Sequence, residues 1–284
     1  MKIRWFPLVA GLAIVVLGHQ GGDSIALGQT TLSGRIAYNC GDIRVVDLTT
    51  GVNTDLAVVG TNPKFSPDGT RIVFDGSGGI NVMNADGTNQ KLLWSGDSSV
   101  PSWSPDGSQI AFCVRSKGRT TNNGIWVMNA DGSAARPLTT FGCWPAWSPG
   151  LGTQVAFSYS NTQIWLMDVA TPSNAHQVAA CSDPGGKIDV VWSPGPLILF
   201  GDSVKGPNSY ELFTCNPNAT GGVGSGLTRL TTSLGSDFEP SWSPNGTMIA
   251  WYSGRSPAGI WEMNATAPFL PQPLFPGRQP SWAR

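Results

Sequence analysis

Charged side chains are scarce in this chain of 284 residues. Asp, Glu, Lys and Arg make up 12% of it, about half of the ~25% that is usual in soluble domains. The formal net charge is −1, so no excess of positive charge is available for nucleic acid or an anionic membrane surface. We therefore expect no nucleic-acid partner, and no membrane association once a signal segment has been removed.

Histidine is rarer still. Of the 2 histidines, only His176 lies outside the N-terminal segment described below, so a Ser-His-Asp triad or a multi-histidine metal site has little support. No Gly-x-Ser-x-Gly elbow occurs. Four aspartates lie within the repeated turns, where Asp typically hydrogen-bonds the backbone of its own turn, and they lack the spacing of a calcium loop: Asp68, Asp86, Asp106 and Asp131. We expect no catalytic residue, no metal and no cofactor.

The N-terminus has the composition of a secretory signal. Lys2 and Arg4 precede an apolar run from Trp5 to Gly18, and Ala26-Leu27-Gly28 places small residues at the cleavage-determining positions. The alternative is an uncleaved anchor, but a helix over that run would span only ~21 Å, less than the ~30 Å hydrocarbon core. We predict a signal peptide over residues 1–28 and a periplasmic or secreted mature chain over residues 29–284.

Glycine and proline are abundant, with 36 and 22 residues, and they mark a repeated turn. The motif Pro101-Ser102-Trp103-Ser104-Pro105-Asp106-Gly107 is followed by Ile110-Ala111-Phe112 and then by Ile125-Trp126-Val127-Met128-Asn129-Ala130-Asp131-Gly132. Pro and Gly in these positions are typical of tight turns between short strands. The first-strand aromatic recurs 38, 44, 45, 50 and 40 residues apart, as Phe65, Trp103, Trp147, Trp192, Trp242 and Trp282.

A four-stranded unit repeated at this interval predicts an all-β fold, a six-bladed β-propeller of antiparallel blades. Blades two to six are expected within residues 62–93, 100–138, 144–178, 189–230 and 239–274. The N-terminal blade has only its second, third and fourth strands in sequence. We expect the C-terminal strand, residues 280–282, to complete that blade on its inner side, which removes an exposed sheet edge.

Most of the 12 tryptophans occupy repeat positions that predict packing between blades. Trp94 and Trp144 fall outside that pattern and are expected on the face formed by the variable loops. Three residues before the first-strand aromatic of each repeat stand Asn62, Val100, Trp144, Asp189, Glu239 and Gln279, which we predict surround the mouth of the central channel. The next layer inward contains Lys64 and otherwise mostly small residues. The predicted ligand-binding residues are Asn62, Trp94, Trp144, Asp189, Glu239 and Gln279. Together these residues would form a socket for a peptide, a sugar or a basic side chain. The alternative is that they bind no ligand and only give the channel rim a solvated surface.

The cysteine count is odd. Cys40, Cys143 and Cys181 are expected on the variable-loop face, and Cys113 lies in a strand that runs toward it. Cys215 is expected on the opposite face, so we predict that it is the unpaired cysteine. The alternative is five buried free thiols that act as small hydrophobic residues.

The repeat motifs quoted above resemble the six-bladed propeller of TolB and its WD40-like relatives, over about residues 34–282. The resemblance implies an exported scaffold that binds another protein through one face. TolB carries an additional N-terminal domain, which we do not expect here. We predict a monomeric, non-enzymatic propeller with a protein or peptide partner. The alternatives are a carbohydrate-binding propeller, in which Trp94 and Trp144 stack on a glycan, and a propeller lyase or hydrolase; similar pectin lyases rely on metal-binding histidines.

Overall fold

The computed structural model describes residues 32–115, 123–160, 162–181, 185–203, 210–232 and 235–283. The predicted signal peptide lies outside the described residues, and so do residues 116–122 and 204–209, which belong to the loops between the second and third strands of blades three and five. Within these ranges no helix has the length and apolar character needed to cross a membrane.

In the described part of the chain, twenty-four strands form six sheets of four antiparallel strands. Blade one contains β1 (Arg35–Cys40), β2 (Asp42–Asp47), β3 (Asn53–Val58) and β24 (Arg278–Ala283). Blade two contains β4 (Thr61–Phe65), β5 (Arg71–Gly76), β6 (Gly79–Asn84) and β7 (Lys91–Ser95). Blade three contains β8 (Ser98–Trp103), β9 (Gln109–Val114), β10 (Gly124–Asn129) and β11 (Arg136–Pro137).

The remaining blades repeat this order. Blade four contains β12 (Cys143–Trp147), β13 (Gln154–Tyr159), β14 (Gln163–Asp168) and β15 (His176–Gln177). Blade five contains β16 (Lys187–Trp192), β17 (Ile198–Asp202), β18 (Glu211–Cys215) and β19 (Leu227–Arg229). Blade six contains β20 (Asp237–Trp242), β21 (Met248–Ser253), β22 (Gly259–Asn264) and β23 (Gln272–Phe275). Two 3-10 helices cover Pro172–Asn174 and Ala179–Cys181.

The predicted closure is confirmed. Strand β24 pairs with β1 in antiparallel register, with Trp282 opposite Ile36 and Ala283 opposite Arg35. The last described strand is therefore the inner strand of the first blade. The indole Nε1 of Trp282 donates to the carbonyl oxygen of Ser33 at 3.0 Å, so the two ends of the described chain are fixed to each other.

The core lies between blades, because each sheet is buried on both faces. Six apolar clusters occupy the six interfaces. The second-strand aromatic is fully or nearly fully buried in every interface, as Tyr38, Phe74, Phe112, Phe157, Phe200 and Trp251. This apolar layering explains why the repeat tolerates so few charged residues.

The Ser-Pro-Asp-Gly turns confirm a structural role for their aspartates. In blade three, Asp106 accepts hydrogen bonds from the Ser104 hydroxyl at 2.6 Å and the Ser108 backbone N–H at 3.0 Å, while Gly107 adopts φ of 70°. These bonds lower the pKa of Asp106 to about 2. Asp68 makes the equivalent contacts in blade two, so both side chains are turn caps.

The cysteine pairing differs from the prediction. Disulfides join Cys113 to Cys143 and Cys181 to Cys215, and Cys40 is free and exposed. The prediction that Cys215 is unpaired is therefore wrong, and so is the alternative of five free thiols.

The reason for this error is the short fourth strand of blade four. After only two residues in β15, the chain enters the 3-10 helix Ala179–Cys181 instead of continuing along the loop face. The carbonyls of Ala179 and Ala180 accept backbone hydrogen bonds from Gly224 and Gly226 of blade five. Cys181 is thereby buried between the two blades and reaches Cys215, with 5.4 Å between the Cα atoms.

Candidate functional site

A cavity of about 640 Å³ follows the propeller axis, and its wall is formed by the six first strands. All six residues predicted to surround the channel mouth line this cavity: Asn62, Val100, Trp144, Asp189, Glu239 and Gln279. The next layer inward contributes Lys64, Ser102, Ala146, Val191 and Ser241. The structure therefore assembles the predicted ring, which we call the mouth ring.

Each mouth-ring residue forms a β-bulge in its first strand. Their φ values lie between 50° and 57°, which is the left-handed region that non-glycine residues rarely adopt. The strand register shifts at the same point in every blade. In five blades the next residue is proline, which has no N–H to pair and is therefore suited to a bulge. The bulge turns each mouth-ring side chain toward the axis.

Side chains of the mouth ring cap backbone N–H groups on the neighbouring blade. The N–H of Glu239 donates to Asp189 Oδ2 at 3.2 Å, that of Gln279 to Glu239 Oε2 at 3.1 Å, and that of Asn62 to Gln279 Oε1 at 2.8 Å. Asp75, at the end of β5, accepts from the Val100 N–H at 3.2 Å and from Asn62 Nδ2 at 2.6 Å. The polar ring therefore holds adjacent blades together as well as lining the mouth.

Burial shifts the pKa values of the charged groups around the mouth. It raises the pKa of Asp75 to about 6 and, together with the charge of Asp189, raises the pKa of Glu239 to about 7. Burial also raises the pKa of Asp189 above its usual range. The pKa of Lys64 is lowered by burial, although the three carboxylates act in the opposite direction. The mouth is thus a poorly hydrated site in which charge is costly.

Two arginines stack on aromatic rings beside the mouth. Arg278 lies 5.1 Å from the ring centroid of Phe238 and 4.7 Å from that of Tyr252, and its guanidinium bonds to both oxygens of Glu239. Arg115 lies 5.3 Å from the Trp144 ring and donates to Cys143 Sγ at 3.3 Å. Stacking fixes both guanidinium groups at the rim while leaving the arginines exposed.

Trp94 is not brought to the mouth. It lies in β7, the outermost strand of blade two, because that strand extends beyond the predicted end at Leu93. Its ring packs against Phe112 and Trp126 of blade three, at 5.3 and 5.0 Å between centroids. The sugar-stacking pair of Trp94 and Trp144 is therefore not assembled.

His176 is also remote from the cavity. His176 is exposed in β15, where Nδ1 lies 3.0 Å from the carbonyl oxygen of Asn174. Among the described residues, no group of three or more His, Cys, Asp or Glu side chains has an arrangement that could hold a metal ion.

The sequence prediction missed the bulge, the contribution of Asp75 and the two stacked arginines. The bulge had a signal, since a proline follows the mouth-ring residue in five repeats. Asp75 and the arginines had none, because they belong to other strands and loops that only the assembled propeller brings to the mouth.

Comparison with known proteins gives TolB relatives. The chain is 31% identical over 124 residues to a protein TolB homolog of Chlorobium luteolum, covering 40% of this chain and 27% of that protein. It is 36% identical over 102 residues to the Tol-Pal system protein TolB of Gluconobacter oxydans, covering 32% of this chain and 22% of that protein. The match thus spans about a quarter of these relatives' lengths. No protein-family model matches the chain.

Solved structures agree on the fold. TolB from Acinetobacter baumannii superposes with a TM-score of 0.71 at 20% identity, over 88% of this chain and 66% of that one. A putative TolB from Agrobacterium tumefaciens superposes with a TM-score of 0.65 at 20% identity, over 87% of this chain and 92% of that one. An oligogalacturonate lyase in complex with manganese superposes with a TM-score of 0.55 at 11% identity, over 84% of this chain and 74% of that one. The described chain is a TolB-like six-bladed propeller.

Proposed function

We propose that this TolB-like propeller is an exported, non-enzymatic scaffold that binds a protein or peptide partner on the variable-loop face, around the channel mouth. The observation that carries the proposal is the rim itself. There, Trp144 lines a concave opening, and two stacked arginines lie beside it, Arg115 on Trp144 and Arg278 on Tyr252 and Glu239. Trp, Tyr and Arg are the residue types that contribute most to binding at protein interfaces.

Export is supported by the cysteines as well as by the N-terminal signal. Two disulfides form between residues that the structure describes, and stable disulfides are typical of oxidising compartments such as the periplasm or the extracellular space. The similarity to a Tol-Pal system protein agrees with a cell-envelope location.

The first test is capture from the envelope fraction of the source organism with the mature protein as bait. Trp144→Ala and Arg278→Ala, both at the mouth, should each reduce capture of a specific partner. The control is Leu151→Ala. Leu151 is 93% exposed and lies in the turn between the first two strands of blade four, at the end of those strands that is away from the mouth. Equal capture by all three variants would refute the mouth as the binding site.

A glycan array with the same proteins separates the carbohydrate hypothesis from the protein-binding one. Glycan binding that is lost in Trp144→Ala would replace the present proposal. Absence of glycan binding, together with mouth-dependent capture of a protein, is the expected result.

A further inference from the structure

The carboxylates at the channel mouth are already occupied. Glu239 binds Arg278 through both oxygens and caps the N–H of Gln279. Asp189 caps the N–H of Glu239. Asp75 accepts two hydrogen bonds at Oδ2, while its Oδ1 has no partner among the described residues but is buried and so out of reach of a ligand. Since these groups hold neighbouring blades together, they offer few accessible acceptors to a basic ligand.

Lys64 is different, because no residue that the structure describes holds its ammonium group. The side chain lines the cavity one layer inside the mouth ring, where the other lining residues are serine, alanine and valine. Among the described residues, none forms a hydrogen bond or ion pair with Lys64 Nζ. The three nearby carboxylates do not compensate for its burial, since its pKa remains below the usual value. An additional acceptor at Nζ would therefore be stabilising.

The rim adds two accessible cations on the way to Lys64. Arg278 uses Nε and Nη2 to bind Glu239, and its side chain is 50% exposed, so other guanidinium donors remain free. Arg115 is exposed and is oriented by Trp144. Fixed guanidinium groups are well suited to bind carboxylates.

We propose that the channel mouth binds an acidic peptide segment of the partner, with one side-chain carboxylate on Lys64 inside the channel and others on Arg115 and Arg278 at the rim. This inference rests on the proposed protein-binding function and specifies the chemistry of the ligand. It replaces the expectation that the mouth receives a basic side chain.

The test uses three capped synthetic peptides of equal length in which glycine alternates with glutamate, glutamine or lysine. Binding to the mature protein is measured by fluorescence anisotropy at low and physiological salt. The glutamate peptide should bind most tightly, and its affinity should fall with added salt, as expected for charge pairing. Equal or tighter binding of the glutamine or lysine peptide would overturn the proposal.

Lys64→Met removes the channel cation and keeps the side-chain length. It should weaken binding of the glutamate peptide by at least about tenfold, as expected for the loss of one partner of a buried charge pair. The matched control is Lys91→Met, an exposed lysine whose Nζ bonds to the carbonyl of Asp131. Equal affinities of the two variants would remove Lys64 from the site.

A measurement on the unmodified chain remains informative if Lys64→Met fails to fold. In protein labelled at the lysine Cε carbon, the Lys64 NMR signal should titrate at higher pH when the glutamate peptide is bound. An unchanged titration at saturating peptide would contradict the proposal. If the peptide tests fail while partner capture still depends on Trp144, the scaffold function stands and only the acidic ligand is excluded.

Discussion

Glu262 is a carboxyl group in an apolar position of the repeat. The equivalent third-strand residue is Val45, Val82, Val127, Leu166 or Thr214 in the other blades. Glu262 is 7% exposed and lies opposite Ala250 in the sheet register, on the face of blade six that packs against blade one. Its Oε2 has no hydrogen-bond partner among the described residues. Burial alone raises its pKa from 4.5 to about 7.

This shift makes the stability of the protein depend on pH. Because the folded state binds the Glu262 proton more tightly than the unfolded state, its contribution is complete below pH 4.5 and is lost as the pH rises through about 7. We expect Glu262→Gln to reduce the difference in unfolding free energy between pH 5 and pH 8 by about 2–3 kcal/mol. Urea denaturation at the two pH values measures it, and an unchanged difference would contradict the assignment.

The anchor tryptophans offer a matched pair of substitutions. Trp147 Nε1 donates to the carbonyl of Ser102 at 3.1 Å, whereas Trp242 Nε1 has no partner among the described residues. The two side chains are 7% and 8% exposed, and blade two carries Phe65 at this position. Trp147→Phe should therefore destabilise the protein by about 1 kcal/mol more than Trp242→Phe, the value of one hydrogen bond. Equal losses of stability in the two variants, measured by thermal denaturation, would argue against the hydrogen bond of Trp147.

At the scale of the elements, the first strands position the site. A strand with regular pairing would alternate its side chains between the two faces of the blade. The bulge interrupts this alternation, so the mouth-ring side chains reach the axis while the anchor aromatics stay in the blade interfaces. The proposed binding surface is thus a consequence of one backbone irregularity that is repeated in every blade.

The disulfides connect elements that the strand ladders leave unlinked. Cys113 in β9 and Cys143 in β12 join blades three and four across 30 residues of sequence. We expect Cys143→Ser to lower stability by about 2–4 kcal/mol. A reductant should lower the stability of the unmodified protein by more, because it also opens the disulfide between Cys181 and Cys215. Cys40→Ser should be neutral because Cys40 is exposed and unpaired. Peptide mapping under non-reducing conditions would reveal any other pairing.

At the scale of the whole molecule, closure depends on one strand. Removing residues 278–284 should destabilise the propeller severely, because blade one loses β24 and the adjacent interface loses Trp282. A circular permutant that joins Ala283 to Arg35 by a short turn is the control, since these residues lie opposite each other. The permutant should melt close to the original chain and the truncated protein far below it. Equal melting of the truncated protein would refute the closure.

Much of the fold was determined by the sequence alone. Repeated turn chemistry and aromatic anchors specify short strands at a fixed interval, and such strands can bury their faces only by stacking as blades. The incomplete first repeat and the extra C-terminal strand then leave one closure that protects both edges. The mouth ring could be identified for the same reason, since equivalent positions in symmetric repeats must lie around one axis.

Only the tertiary structure decided where the repeats depart from this symmetry. In blade four, β15 has only two residues, and Cys181 therefore lies in the interface with blade five. In blade two, β7 is longer than predicted, and Trp94 therefore packs against blade three instead of lying at the mouth. Hydrogen bonds between blades occupied most of the carboxylate oxygens at the mouth, and no described side chain pairs with Lys64. These outcomes depend on contacts between residues far apart in the chain, which local patterns do not encode.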